Sequence, residues 1–207
     1  MVVAISCNFC KGLVIGASAR FYSSISIENS EPSAVDVIVI EVCSVQFHQT
    51  VTFTYNFVSH NFSCISDTTN IFIEKCVFLV LSYLKGACHE VDFRDRMESI
   101  RGSGKLKVIL RADNDFYSQI DLLKSKDLPL LSTSLKTVPR FQPCPRDALG
   151  KVIISKTGMG SSAALTTSLV GAFLQYFNAV DLGVEGSEEQ KNLVHNMSQL
   201  VHAIGMI

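Results

Sequence analysis

The chain has 207 residues, 47% of them hydrophobic and 18% charged, with a formal net charge of −1. That length holds one domain with a real core, or one and a fraction, and the composition is that of a globular chain rather than a disordered one. A near-neutral balance, with no basic run and no interleaving of aromatic and basic residues, argues against a nucleic-acid binder.

Taken in order, residues 12–27 read as a strand or hairpin arm, with Ala17, Ala19 and Phe21 at alternate positions. Residues 28–33 form a polar, proline-bearing loop, and the β-branched residues 35–45 predict a strand. Val51, Phe53, Tyr55 and Phe57 alternate with Thr52, Thr54 and Asn56, the period-two pattern of a half-buried strand. Residues 60–70 read as loop. Residues 71–85 predict a helix stopped by Gly86. A strand over 106–111 is entered from the turn Arg101-Gly102-Ser103-Gly104, and a polar turn over 113–118 follows it. Residues 122–140 are mixed, and 141–150, with Pro143 and Pro145, make an extended connection. Val152-Ile153-Ile154-Ser155 reads as a short strand and 165–177 as a helix. In the last helix Ser187-x-x-Gln190 has capping-box spacing. Leu193, Met197, Leu200 and Ile204 follow it at steps of four, three and four, which predicts one apolar stripe. His195 and His202 lie seven apart on a flank, where two imidazoles need outside help to chelate, so a structural or solvated role is expected.

The longest apolar stretch, 71–84, carries Glu74 and Lys75 and is shorter than the roughly 20 residues of a membrane span, so no membrane segment is expected. The N-terminus is apolar, but no cationic segment precedes it and Lys11 interrupts it early, so no signal peptide is read. The seven cysteines, Cys7, Cys10, Cys43, Cys64, Cys76, Cys88 and Cys144, are odd in number and irregular in spacing. Cys7-x-x-Cys10 has no second pair at zinc spacing and Cys88-His89 alone is no site, so reduced thiols in a cytosolic protein are expected. The sequons at Asn61 and Asn196 are expected to go unused.

Lys156-Thr157-Gly158-Met159-Gly160-Ser161-Ser162-Ala163-Ala164 is the most informative stretch. A turn of glycines and serines between a strand and a helix start is a ready anion site: small residues let the backbone approach a phosphate, and the first N–H groups of the helix point at it. The hydroxyls of Ser161 and Ser162 suit phosphate oxygens or magnesium, and Lys156 supplies a point charge. The spacing excludes a Walker A loop, whose lysine follows the second glycine, and a dinucleotide fingerprint, which needs a third glycine. The same string can also be only a helix cap.

Gly158-Met159-Gly160-Ser161-Ser162-Ala163-Ala164 resembles the central motif of the GHMP small-molecule kinases. With Arg20-Phe21-Tyr22, Asn114-Asp115-Phe116-Tyr117-Ser118, Asn70-Ile71-Phe72-Ile73-Glu74 and Leu128-Pro129-Leu130, it is similar to phosphomevalonate kinases of the plant and fungal type. The resemblance covers about 70–204 and a short piece around 12–22. The stretch 28–69 shows none, and reads as sequence that replaces the family's own, as an alternative exon or retained intron would.

The resemblance implies an α+β fold, the GHMP kinase N-terminal domain (ribosomal protein S5 domain 2-like), with a mixed sheet covered by helices on one face and spanning residues 1–207 in partial form. It implies phosphorylation of 5-phosphomevalonate to 5-diphosphomevalonate by ATP, in the mevalonate pathway of isoprenoid and sterol biosynthesis. ATP and Mg2+ are the implied cofactors. Lys156, Gly158, Met159, Gly160, Ser161, Ser162 and Ala163 would hold the ATP phosphates, with Ser162 on magnesium. Asn114, Asp115 and Ser118 would lie near the substrate. The expected compartment is the cytosol, with the peroxisome as the alternative; Gly205-Met206-Ile207 is not a Ser-Lys-Leu address. No nucleic-acid or membrane partner is implied, and the oligomeric state is open.

The family's opening lysine motif and the Gly-Ser-Gly-Phe-Asp motif with its catalytic aspartate are absent from the sequence, as is the C-terminal domain, so the catalytic residues are not identified and turnover is expected to be weak. The alternatives are an inactive ATP-site remnant, or another GHMP kinase such as mevalonate kinase, against which the 114–118 motif argues.

Overall fold

Alternation of branched and polar side chains builds one mixed sheet. The structure, a computed structural model, describes residues 2–4, 19–29, 36–67, 70–86, 90–183 and 186–207. Cys7, Cys10, Lys11, Cys88, His89 and residues 12–18 of the predicted 12–27 arm lie outside the described residues. The strands are β1 (Val2–Ala4), β2 (Arg20–Glu28), β3 (Val37–Ser44), β4 (Gln49–Asn56), β5 (Asn61–Cys64) and β6 (Lys105–Ala112). Their spatial order is β1-β2-β6-β3-β4-β5; only the β3–β6 pair is parallel.

Residues 36–67 therefore supply half of the sheet. Ile38, Ile40 and Val42 of β3, Val51, Phe53 and Tyr55 of β4, and Leu106, Val108 and Leu110 of β6 all turn to one buried face. The opposite face keeps threonines and charges, and Lys105 and Lys107 reach Glu41 and Glu28 across strands at 2.8 and 2.7 Å. Such exposed pairs contribute little to stability. The burial on the inner face decides the register, because a slip of one residue would turn every apolar side chain outward.

Long helices cover the inner face, α1 (Ile71–Gly86), α2 (Glu90–Ser103) and α5 (Ser161–Tyr176), and α6 (Glu188–Gly205) packs on α1 and α5, with the short α3 (Ile120–Ser125) and α4 (Ser132–Leu135) on the excursion after β6. α1 buries Ile73, Cys76, Val77, Val80, Leu81 and Leu84 at helical spacing. α5 is buried almost all round, and its small residues Ala164, Ser168, Gly171 and Ala172 let it sit close to its neighbours. Its Ser168 hydroxyl meets that of Ser23 on β2 at 2.7 Å, so the polar pair is satisfied within the core. Of the cysteines, Cys43, Cys64, Cys76 and Cys144 are free thiols among the described residues. Burial pushes the Cys144 thiol up to about 11 and the Cys76 thiol well above its ordinary range.

Several sequence expectations are corrected. Residues 60–70 are not all loop: β5 pairs with β4, and Phe62 packs tilted against Tyr55 at 4.6 Å. Residues 101–103 are not turn but the end of α2, which buries Phe93, Met97 and Ile100 among the described side chains; Gly104, at φ 132°, breaks it. Val152 to Ser155 forms no strand. Both sides of β6 are taken, and Val152 makes only an isolated bridge to Arg146 while Ile153 and Ile154 stay exposed.

The α6 capping box is present: Ser187 Oγ accepts from the Gln190 N–H and the Gln190 side chain returns to the Ser187 N–H. The stripe below it is rotated. Val194, Met197, Ser198 and Val201 are buried, while Leu200 is 49% exposed. Leu200 is therefore not a core residue. Val201→Ala should cost roughly 1–3 kcal/mol, whereas Leu200→Ala should stay within about 0.5 kcal/mol of wild type. Urea unfolding of both variants checks this, and a larger loss at Leu200 would contradict the helix rotation.

Candidate functional site

The site grows from the start of α5. Gly158 and Gly160 sit at φ 84° and 73°, a left-handed conformation that side chains disfavour, and the space where their Cβ atoms would project is open. Gly160 is the N-cap residue and no side chain caps the helix. The first intrahelical bond is Ala164 N–H to Gly160 O, at 3.0 Å. The N–H groups of Ser161, Ser162 and Ala163 thus precede the helical ladder and carry the positive end of its dipole. Lys156, Thr157, Gly158, Met159 and Gly160 are exposed, Ser162 and Ala163 are half-buried, and the Ser161 side chain turns inward.

A second motif, 42 positions away, holds this loop in place. Ser118 N–H donates to Ser155 O at 2.7 Å, Thr157 N–H to Phe116 O at 3.1 Å, and Thr157 Oγ1 to Asp115 O at 2.6 Å. The Asn114–Phe116 single-turn helix and the residues after it thereby form one wall of the loop. Beneath them lies Tyr117, whose phenol burial pushes well above its ordinary range. Its hydroxyl faces Ser161 but falls short of a full hydrogen bond.

The wall is itself anchored. Gln46, fully buried, donates through Nε2 to Ala112 O at 2.9 Å and accepts from Ala112 N–H at 3.0 Å, which fixes the exit of β6. Asp113 accepts from Arg20 N–H at 2.9 Å and from Arg140 Nε at 2.9 Å. Arg140 also donates to the Tyr22 hydroxyl and lies over the Tyr22 and Phe141 rings at 4.9 and 4.8 Å. Asn114 uses both ends of its amide on the backbone: Nδ2 donates to Pro139 O at 2.9 Å, and Oδ1 accepts from Gln142 N–H at 2.7 Å. Asp115 keeps an exposed carboxylate, and the Ser118 hydroxyl accepts weakly from Ile120 N–H at 3.4 Å.

Between this wall and α3–α4 opens a cavity of about 700 Å³. Leu123, Leu135 and Val138 give it an apolar lining, Lys136 and Arg140 add cationic groups, and Thr157 joins it to the loop. That size and mix suit a drug-sized organic ligand with a charged end. The loop itself suits the charged end.

Among the described residues no group of three or more His, Cys, Asp and Glu could cage a metal ion. Ser162 Oγ, at the start of α5, lies 3.2 Å from His202 Nε2. His202 stacks on Phe72 at 5.2 Å and 20°. This residue, read from the sequence as structural or solvated, touches the loop, whereas His195 is exposed. Its part was invisible in sequence because the contact joins two helices 40 positions apart. Gln46, Asp113, Arg140 and Thr157 were missed for the same reason: each acts through a backbone or side-chain partner distant in sequence.

No family model matches the chain, and no solved structure matches it. Curated proteins do. The peroxisomal phosphomevalonate kinase of Arabidopsis thaliana is 28% identical over 212 residues, covering 93% of this chain and 41% of that protein. Phosphomevalonate kinases of Gibberella zeae and Aspergillus fumigatus are 30% and 29% identical, each over 64% of this chain and 25% and 23% of their own lengths. The chain thus spans less than half the length of these curated relatives. A match over 93% of the chain takes in most of residues 28–69, where the sequence alone showed no resemblance. Strands that need only branched, apolar inward side chains keep their pattern while changing identity.

Asn114→Ala should free the 139–142 backbone without opening the core. Hydrogen exchange should then speed up over 139–142 and stay unchanged in β3 and β6; equal acceleration everywhere would mean that Asn114 supports the whole fold.

Proposed function

We propose that this chain is the nucleotide-binding part of an ATP-dependent phosphomevalonate kinase with a GHMP-type N-terminal domain. The reaction is transfer of the γ-phosphoryl group of ATP to the phosphate of 5-phosphomevalonate, giving 5-diphosphomevalonate and ADP. One observation carries the reading: the uncapped start of α5, opened by two left-handed glycines, stands beside a cavity of about 700 Å³ that shares Thr157 with it. The names of the plant and fungal relatives supply the substrate class.

The residues divide the work by position. The N–H groups of Ser161, Ser162 and Ala163 receive phosphate oxygens without reorganising, because α5 is held on all sides. Gly158 and Gly160 keep the approach free of side chains, Met159 lies between them, and Lys156 adds charge from the exposed entry to the loop. The cavity takes the nucleoside, with Leu123, Leu135 and Val138 against the base. Asp115 and Ser118, at the junction of cavity and loop, face the transferring end. Asn114 acts by holding the wall.

A magnesium ion fits this donor set as one carried in by the nucleotide. It ordinarily keeps few protein ligands alongside phosphates and waters, and Ser162 Oγ is a hydroxyl beside the loop with no competing cage among the described residues. When bound it supplies charge neutralisation for phosphoryl transfer. The Arabidopsis relative's name specifies the peroxisome, so the compartment proposed is the peroxisome or the cytosol. No helix among the described residues is long and apolar enough to cross a membrane.

The experiment is a fluorescent-ATP titration of the purified chain with a charge placed at the loop. Ala163→Asp puts a carboxylate in the first turn of α5, where the dipole favours it, so the thermal midpoint should hold or rise. Like charge against phosphate should weaken nucleotide binding by roughly tenfold or more. No nucleotide binding by the unaltered chain, or binding untouched by Ala163→Asp, would sink the reading. Coupled ADP release with 5-phosphomevalonate and none with mevalonate would fix the substrate. Binding without ADP release would reduce the chain to a nucleotide-binding module.

A further inference from the structure

Three helix ends meet at the loop: the start of α1, the start of α5 and the end of α6. Asn70 Oδ1 accepts from the N–H groups of Phe72 and Ile73 at 3.1 and 3.4 Å, which sets the first turn of α1 and with it the Phe72 ring. His202, in the last turn of α6, lies nearly parallel to that ring. Gly205 makes room for the stack, since a Cβ there would come within 2.8 Å of the Phe72 ring. The half-buried imidazole is thereby held in one plane, with Nε2 at 3.2 Å from Ser162 Oγ.

We infer that His202 is a positioning residue for Ser162: Nε2 accepts the hydroxyl proton and leaves both lone pairs of Ser162 Oγ free at the loop for a divalent cation carried by the nucleotide. This rests on the nucleotide reading above. A serine hydroxyl rotates freely and, left alone in a phosphate loop, would spend its proton on a phosphate oxygen. A neutral imidazole with Nδ1 protonated accepts that hydrogen bond at Nε2 instead, and the oxygen presents only acceptor density. The packing of three helix ends around one hydroxyl is more than α6 requires for its own stability, since the apolar face formed by Val194, Met197 and Val201 already docks it. Partners one step behind a metal ligand typically change metal affinity by 10- to 100-fold when removed.

The test is a double-mutant cycle on the full chain, read by fluorescent-ATP affinity with Mg2+ and with a chelator. His202→Phe keeps a ring on Phe72 but removes the acceptor, and Ser162→Ala removes the hydroxyl. Unaltered chain should bind more tightly with Mg2+ than with chelator. His202→Phe should erase roughly tenfold of that gain while leaving the chelator affinity within about twofold. In a Ser162→Ala background His202→Phe should change nothing further. His202→Gln, which retains an acceptor oxygen, should restore part of the gain, and it replaces His202→Phe should that variant fail to fold; loss of the gain in His202→Gln to the level of Ser162→Ala would then overturn the inference. So would an undiminished Mg2+ gain in His202→Phe, an equal loss with and without Mg2+, the same loss in the Ser162→Ala background, or an unaltered chain that binds nucleotide with no Mg2+ gain. An unaltered chain that binds no nucleotide at all overturns the nucleotide reading instead.

Discussion

Burial of α5 is the constraint on which the rest of the structure depends. The helix lies against β2, α1 and α6, and eleven of its residues from Ser161 to Leu174 are buried. A helix so enclosed cannot slide or tilt without opening voids, and voids in a core cost several kcal/mol. Its small residues make that enclosure close, and the Ser23–Ser168 pair fixes its height against β2. The start of α5 is therefore a fixed point in the molecule. Donors fixed in this way bind an anion without first having to be ordered.

The sheet and the turn after β6 deliver the second half of the site to that point. Gln46 pins Ala112, Asp113 pins Arg20 and Arg140, and the 114–118 turn then pairs with the loop by backbone bonds. Each of these groups is a polar atom satisfied by a distant stretch of chain. Removing one partner leaves the other buried without a bond, which costs about 1–3 kcal/mol. The site thus borrows its rigidity from hydrogen bonds that are also structural.

What the sequence made legible follows from how local each signal is. The strands around Ile38–Val42 and Val51–Tyr55 could be read because alternation is a property of one strand alone. The α6 cap could be read because Ser187 and Gln190 are three apart. The rotation of α6 could not, since 193/197/200/204 and 194/197/201 are both apolar sets at helical spacing, and contact with α1 and α5 chooses between them. The short run Val152-Ile153-Ile154 has strand propensity but no sheet edge to join, so tertiary context overrides it. α2 escaped because four apolar residues in fourteen leave a faint stripe. In the candidate site, the glycine-serine loop could be singled out because its signal is one contiguous string. His202, Arg140 and Gln46 did not, because their meaning lies in partners that only the folded chain brings near.

The caps of α5 and α6 show why the loop stays open. Ser187 begins α6 in extended backbone, φ −64° and ψ 154°, the conformation from which a serine hydroxyl reaches the third N–H. Gly160 begins α5 at φ 73° and ψ 39°, where that reach is geometrically unavailable to the cap residue. The serines follow instead at the first and second helical positions. There one side chain turns into the core towards Tyr117, and the other is engaged by His202. No hydroxyl in the loop is thus placed to satisfy the helix's own first N–H groups. Substituting a glycine at the cap costs only a few tenths of a kcal/mol against serine, so the fold can leave these donors for a ligand at little expense in stability. The left-handed turn is then the local feature that separates a helix end that caps itself from one that no side chain caps.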